Sequence, residues 1–214
     1  MVIRPPSQSR PVFRPAPSTL GGQAGATLLA GLIFLTILTL IGVTAARVSS
    51  LEERMAGNLR DRAVAMQAAE MALRDAERDI SNLGTGTRGI AGITQFVADC
   101  GASSTGDTTD DGLCYAGSDG YASPSVTLPS GFTAPVWKST VSGSDIMTVA
   151  PSVAYGAVTG AEAIPLVSAQ PRYLIEGIRK TPPGSGESFY YRITTRAQGV
   201  SANTVVMVQE IYKP

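Results

Sequence analysis

The sequence predicts an α+β fold: a long N-terminal α-helix, membrane-spanning and then amphipathic, packed on an antiparallel β-sheet. Three observations carry this. Residues 26–46, ATLLAGLIFLTILTLIGVTAA, form an uncharged run. Helical periodicity continues beyond it to about Leu83. Three C-terminal runs, 173–178, 188–196 and 204–212, are rich in β-branched and aromatic residues and are separated by turn-forming ones.

Residues 1–25 precede the apolar run. They contain Pro5, Pro6, Pro11, Pro15 and Pro17, with Arg4, Arg10 and Arg14 and no acid. Proline lacks the amide donor and fixes φ, so this stretch reads as an extended cytoplasmic leader, not a helix or a central strand. Over the whole chain 17 basic residues balance 17 acidic ones, so the part beyond the leader is slightly acidic. No basic patch suggests nucleic acid as a partner. There is no histidine, which removes the commonest general base and metal ligand and argues against a hydrolase or a zinc enzyme.

At about 1.5 Å per residue, residues 26–46 would extend roughly 30 Å as a helix, the thickness of a bilayer's hydrocarbon core. The run contains Gly31 and Gly42, which permit close helix approach. It also contains Thr27, Thr36, Thr39 and Thr44, whose hydroxyls can be satisfied on carbonyls one turn back. The leader arginines favour an inside amino terminus. Arg47, Arg54, Arg60 and Arg62 beyond the span weaken that bias. Small residues, Gly25 and Ala26, stand before the apolar run, whereas a secretory signal has its small-residue site after it.

From Leu51 the pattern becomes amphipathic. Leu51, Met55, Leu59, Met66, Ala69, Leu73, Ala76, Ile80 and Leu83 form an apolar stripe. Arg60, Asp61, Glu70, Arg74, Asp75, Glu77, Arg78 and Asp79 are assigned to the solvated face. Gly84 and the Thr-Gly-Thr after it are expected to end the helix. A helix this long, roughly 85 Å, cannot be buried in a small domain. One half belongs in lipid and the other against a folded head.

The middle of the chain is rich in Gly, Ser, Thr, Ala and Asp. Candidate strands are 125–128, 135–141 and 146–149, and Trp137 is assigned to a core or to the helix–sheet seam. Cys100 and Cys114 would pair as a disulfide in an oxidising compartment and would be two small buried residues in a reducing one. The membrane segment ahead of them favours the pair. Asp107, Asp110, Asp111 and Asp119 lack the alternating acids and closing glutamate of a calcium loop and read as a solvated turn. No catalytic residue, metal ligand or cofactor site is expected. In the last strand Val206, Val208, Glu210 and Tyr212 alternate with Val205, Met207, Gln209 and Ile211.

The order of leader, small-residue site, apolar helix and antiparallel sheet resembles that of type IV pilins. GATLLAGLIFLTILTLIGVTAAR, SLEERMAGNLRDR and AMQAAEMALRDAE resemble the amino-terminal region of PilX-type minor pilins. PRYLIE, YYRITTRAQG and NTVVMVQEIY resemble their carboxy-terminal sheet. The resemblance covers residues 25–83 and 171–212. It implies a type IV pilin-like division: 1–25 a cleaved leader, 26–50 the membrane and assembly helix, 51–83 its amphipathic half, and 84–214 a periplasmic head. It implies cleavage by prepilin peptidase between Gly25 and Ala26 and N-methylation of Ala26. A stay in the inner membrane would precede passage into an extracellular filament serving adhesion and twitching motility. Implied partners are other minor pilins, the major pilin, prepilin peptidase and the inner-membrane assembly platform, with a tip adhesin as a candidate. The sequence departs from the general pilin pattern at Ala26, where phenylalanine is usual, and at Ala30, the fifth mature position, where glutamate is usual. These departures suggest a tip or initiating subunit. The leader is also longer than is usual for the class, so a start codon after Met1 is an alternative. A pseudopilin of type II secretion, or a single-pass periplasmic sensor or enzyme, are the rival readings.

Overall fold

The computed structural model describes residues 24–83, 88–102, 111–115, 129–133, 135–181, 184 and 186–214. The expected leader up to residue 23, the proposed stop at Gly84, Asp107, Asp110, Asp119, the candidate strand 125–128 and the prolines Pro182 and Pro183 lie outside the described residues.

The fold is α+β. One helix, α1, runs Ala24–Ile80. The chain divides into two compact units, Met1–Glu52 and Glu53–Pro214, each described by itself. In the first unit α1 is exposed on every side: Leu28, Leu29, Phe34, Leu35, Leu40 and Ile41 all present most of their side chains. This continuity is what an apolar run without proline or internal charge should give.

In the second unit α1 packs on the sheet, and it stops earlier than Gly84. The Leu83 amide bonds the Arg78 carbonyl at 2.8 Å and the Asn82 amide bonds the Asp79 carbonyl at 3.3 Å. Asn82 adopts φ 55°. This is a Schellman stop, and asparagine is one of the few residues with a side chain that adopt the left-handed conformation readily. The Asn82 Oδ1 also accepts the Gly89 amide at 2.8 Å, which tethers the following loop.

The sheet is built on three long antiparallel strands: β5 Arg172–Lys180, β6 Ser188–Gln198 and β7 Val205–Tyr212. They are the expected meander, each beginning or ending within about two residues of the predicted limits. Two short strands flank β5, and neither was legible in the sequence. They are β1 Leu113–Cys114, parallel to it, and β4 Val153–Ala154, antiparallel to it. The remaining two-residue strands, β2 Thr140–Val141 and β3 Ser144–Asp145, form a separate hairpin. The candidate strand 135–141 is therefore a 3-10 turn, Val136–Lys138, followed by β2. The candidate strand 146–149 is a turn, in which the Asp145 carboxylate accepts the Met147 amide and the Asp145 carbonyl accepts the Thr148 amide. Local side-chain bonding of this kind competes successfully with strand pairing.

Alternation assigns the two faces of the sheet. Tyr173, Ile175, Tyr191 and Ile193 pack against Leu73, Ala76 and Ile80 of α1. Gly177 lies on the same face, where a Cβ would strike Ile93 and Phe96. Its absence lets the 93–96 segment close over the strand, where Phe96 stacks on Tyr191 at 5.6 Å. The other face carries a second core of Leu174, Val136, Ile146, Met147 and the Cys100–Cys114 disulfide. Trp137 packs on this second core, half-buried, and not in the helix–sheet seam.

Candidate functional site

Two surfaces of α1 carry whatever the helix does. The first is the apolar run. Its 18-residue window has a mean hydropathy of 2.4 and none of it is buried within the chain. Left in water, a surface of this kind would be costly at about 25 cal/mol per Å². Lipid or neighbouring apolar helices relieve that cost. The threonines are internally satisfied: Thr36 Oγ1 donates to the Ile33 carbonyl at 2.7 Å, Thr39 to Thr36 at 2.8 Å, and Thr44 to Ile41 at 2.9 Å. No hydroxyl of these three therefore opposes an apolar environment. Gly25 and Ala26 sit in the first turn of α1, and Ala30 is exposed one turn on. Gly31 and Gly42 leave open notches, with nothing within 4 Å of where a Cβ would stand.

The second surface is the face buried against the head. It is built of small residues: Ala65, Ala68, Ala69, Ala72 and Ala76 are essentially inaccessible, joined by Leu73 and Ile80. The predicted stripe holds from Ala69 to Ile80 only. Leu51, Met55, Leu59, Met66 and Leu83 are exposed. The alanines bring the helix backbone close enough to the sheet for short polar side chains to reach across.

Three of the residues assigned to the solvated face do reach across. The Asp79 carboxylate is buried and takes a bidentate bond from Arg88, with Nε to Oδ1 at 3.0 Å, and a further bond from the Tyr173 hydroxyl at 3.1 Å. Arg88 also donates to the Asp111 carbonyl, within the loop that the Cys100–Cys114 disulfide closes. Burial foremost, and then the Asp79 charge, push the Tyr173 hydroxyl far above its ordinary pKa, so it remains a donor. The buried Asp75 carboxylate accepts the Gly156 amide at 2.8 Å and the Thr159 hydroxyl. Asp61 accepts the Val200 amide at 2.6 Å and the Ser201 amide at 3.2 Å, which seats the β6–β7 turn on the helix. A hydrogen bond from Thr204 foremost, assisted by those two amides and opposed by burial, holds the Asp61 carboxyl below its ordinary range.

On the far face Glu176 and Arg192 form a second bidentate pair at 2.7 and 2.8 Å, and Glu176 also accepts the Val136 amide at 3.3 Å. Every one of these carboxylates ties one segment of backbone or side chain to another. No group of three metal-ligating residues occurs among the described residues. Sequence reading missed these pins, although one signal was present. Asp75 and Asp79 are like charges four residues apart, an arrangement that destabilises a helix unless both are engaged elsewhere. Asp79 also lies in the last turn, where the helix dipole disfavours an anion without a cation beside it.

The comparisons with known proteins give two matches along the chain. The family described as type IV pilus assembly protein PilX, C-terminal region, matches residues 100–214. The PilX N-terminal family matches residues 24–74. The chain belongs to the PilX family of type IV pilus assembly proteins. No curated protein and no solved structure gave a match. The PilX N-terminal match begins where α1 begins, and the C-terminal match opens at Cys100 and takes in the whole sheet. PilX membership is structural in character, not catalytic, and it places this chain with the pilus machinery and other pilins. The exposed apolar helix fits both membrane anchoring and a pilus.

Proposed function

We propose that this chain is a minor pilin that primes filament assembly or occupies the filament tip. In this reading residues 1–25 are a cytoplasmic leader, removed by prepilin peptidase between Gly25 and Ala26, and Ala26 is N-methylated. Residues 26–50 anchor the chain in the inner membrane and later become an assembly surface. Residues 51–83 join them to a head, 84–214, that faces the periplasm before assembly and the exterior afterwards. Other minor pilins, the major pilin, the inner-membrane assembly platform and a tip adhesin are the proposed partners, and no cofactor is required.

The observation that carries the reading is the uncharged, exposed run of α1 with Ala30 inside it. In pilins of the filament body the corresponding glutamate is expected to meet a neighbour's terminal amine, because a lone charge among apolar helices is costly. Ala30 cannot neutralise an amine, so the chain is suited to a position where no neighbour's amine has to be met in this way.

Intact-mass analysis of the membrane-extracted protein tests the processing. The expected chain begins at methylated Ala26, and an intact leader sinks the proposal. Gly25→Val, which brings a branched side chain to the scissile bond, is expected to leave the leader attached. Immunogold labelling of tagged protein on native filaments tests the position. Label at one end is expected, and even labelling along the shaft overturns the tip assignment.

A further inference from the structure

Strand β7 and the second half of α1 run in the same direction. Asp61 meets the chain just before β7, at Val200 and Ser201, and Ser81, immediately after α1, meets the last residue of β7: the Ser81 and Tyr212 hydroxyls are 3.0 Å apart. Four helical residues advance about 6.0 Å and two strand residues about 6.8 Å. Ala69, Leu73, Glu77 and Ser81 therefore keep step with Val206, Val208, Glu210 and Tyr212. Val206 shares a cluster with Ala69, Val208 packs against the cluster of Leu73, and Tyr212 meets Ser81. The remaining rung sets Glu77 against Glu210, two half-buried carboxyl groups facing each other across the helix–sheet seam.

Among the described residues, the cation named against this rung is a single arginine. On α1 the facing cation is Arg74. On β7 the next inward residue is Tyr212, and on β6 the partners in register are Ile193 and Tyr191, which are uncharged. Lys213 lies over the Tyr190 ring. Burial foremost, and then Glu210, raise the Glu77 carboxyl above its ordinary value, against the pull of Arg74.

We propose that Glu77 and Glu210 form a proton-sharing clasp that holds the terminal strand β7 to the helix in acid and loosens it when both carboxylates are ionised. β7 ends the strand order, so β6 alone supports it within the sheet among the described residues. The sign follows from linkage. A carboxyl raised in the folded state binds its proton more tightly there than in the unfolded chain. Its contribution is fully present below the ordinary carboxyl value and is lost as pH rises through the raised one.

The test is hydrogen exchange of the β7 amides in the full-length protein in detergent micelles, with chelator present, corrected for intrinsic rates. Protection is expected to fall from about pH 4.5 to about pH 7.5, across the range in which raised carboxyls ionise. Glu210→Gln supplies an amide donor at every pH and removes the facing charge, so the fall is expected to shrink, with protection retained, while the burial of Glu77 keeps a remainder of it. Glu77→Gln gives the same reading from the helix side if the first variant folds poorly, with Trp137 emission as the folding control. Glu187→Gln alters an exposed carboxyl paired with Arg179 and is expected to leave the fall intact. Equal protection at both pH values in the wild type, or an unchanged fall in both glutamine variants, overturns the clasp. So does a fall that appears only when chelator is added, which would mean a bridging cation.

Discussion

The two halves of α1 are one continuous helix written in two different languages. From residue 26 to 46 the side chains are uncharged, mostly apolar and exposed all round, and Thr36, Thr39 and Thr44 bond back to their own helix. From residue 61 to 80 the buried face is largely alanine, and aspartates reach out of it to the head. A surface meant for lipid or for sister helices needs apolar area and tolerates many neighbours. A surface meant for one sheet in one register needs close approach and directional bonds. The first half therefore specifies an environment, and the second specifies a partner.

The largest effect that would expose this difference comes from removing one polar pin. Asp79→Ala leaves the Arg88 guanidinium buried beside the Tyr173 hydroxyl with no carboxylate. Breaking a buried pair from one side costs about 3–5 kcal/mol, equivalent to a fall of roughly 10 °C for a head of this size. The change is to be followed by Trp137 emission during thermal unfolding of the full chain in micelles. Replacing both partners with apolar residues, Asp79→Leu with Arg88→Met, is expected to recover much of the loss, because the penalty lies in the stranded charge. A single variant as stable as the wild type would mean that the alanine seam alone sets the register.

These pins also explain which parts of the fold were legible in advance. The apolar run, the helix beyond it and the three-stranded meander announce themselves through local periodicity, and each was found. The inward role of Asp61, Asp75 and Asp79 depends on partners 81 or more residues away for the first two, such as Gly156 and Val200, and on Arg88 and Tyr173 for the third. No local pattern records such distances, so charged residues on a helix default to the solvated face. The short strands β1 and β4 fail to announce themselves for a similar reason. Two residues have no period, and they are strands only because β5 offers them an edge. The assembly residues Ala26, Ala30, Gly31 and Gly42 are the opposite case. The candidacy of Ala26 and Ala30 came from resemblance to pilins and that of Gly31 and Gly42 from their small size within the apolar run, and all four are exposed on the helix.

A middle-sized effect is expected in the alanine seam. Ala69 is inaccessible and packs with Ile164, Ala197 and Val206. Ala69→Leu forces extra methylenes between helix and sheet, at a cost of about 1–3 kcal/mol. The measurement is the urea midpoint of the head. Strand β7 is expected to lose amide protection before β5, because Val206 is the β7 residue directly displaced. An unaffected midpoint would show that the seam has slack, and would weaken the claim that small residues there serve close approach.

The smallest effect on stability should come from the same kind of substitution in the first half, where it is most informative about function. Gly31 is exposed, and a Cβ there meets nothing within 4 Å. Gly31→Leu adds more side chain than Ala69→Leu does, yet head stability should stay within about 0.5 kcal/mol, as for surface changes generally. Membrane extraction of the variant should match that of the wild type, since leucine suits lipid as well as glycine does. If residues 26–50 act only as an anchor, incorporation into filaments should then be unchanged too. If they become a packed assembly surface, leucine fills the notch through which a neighbouring helix approaches, and less of the protein should reach sheared filaments from equal membrane pools. Stability, membrane content and filament content measured on one variant thus separate the two uses of this half. A loss confined to the filament fraction is the expected result.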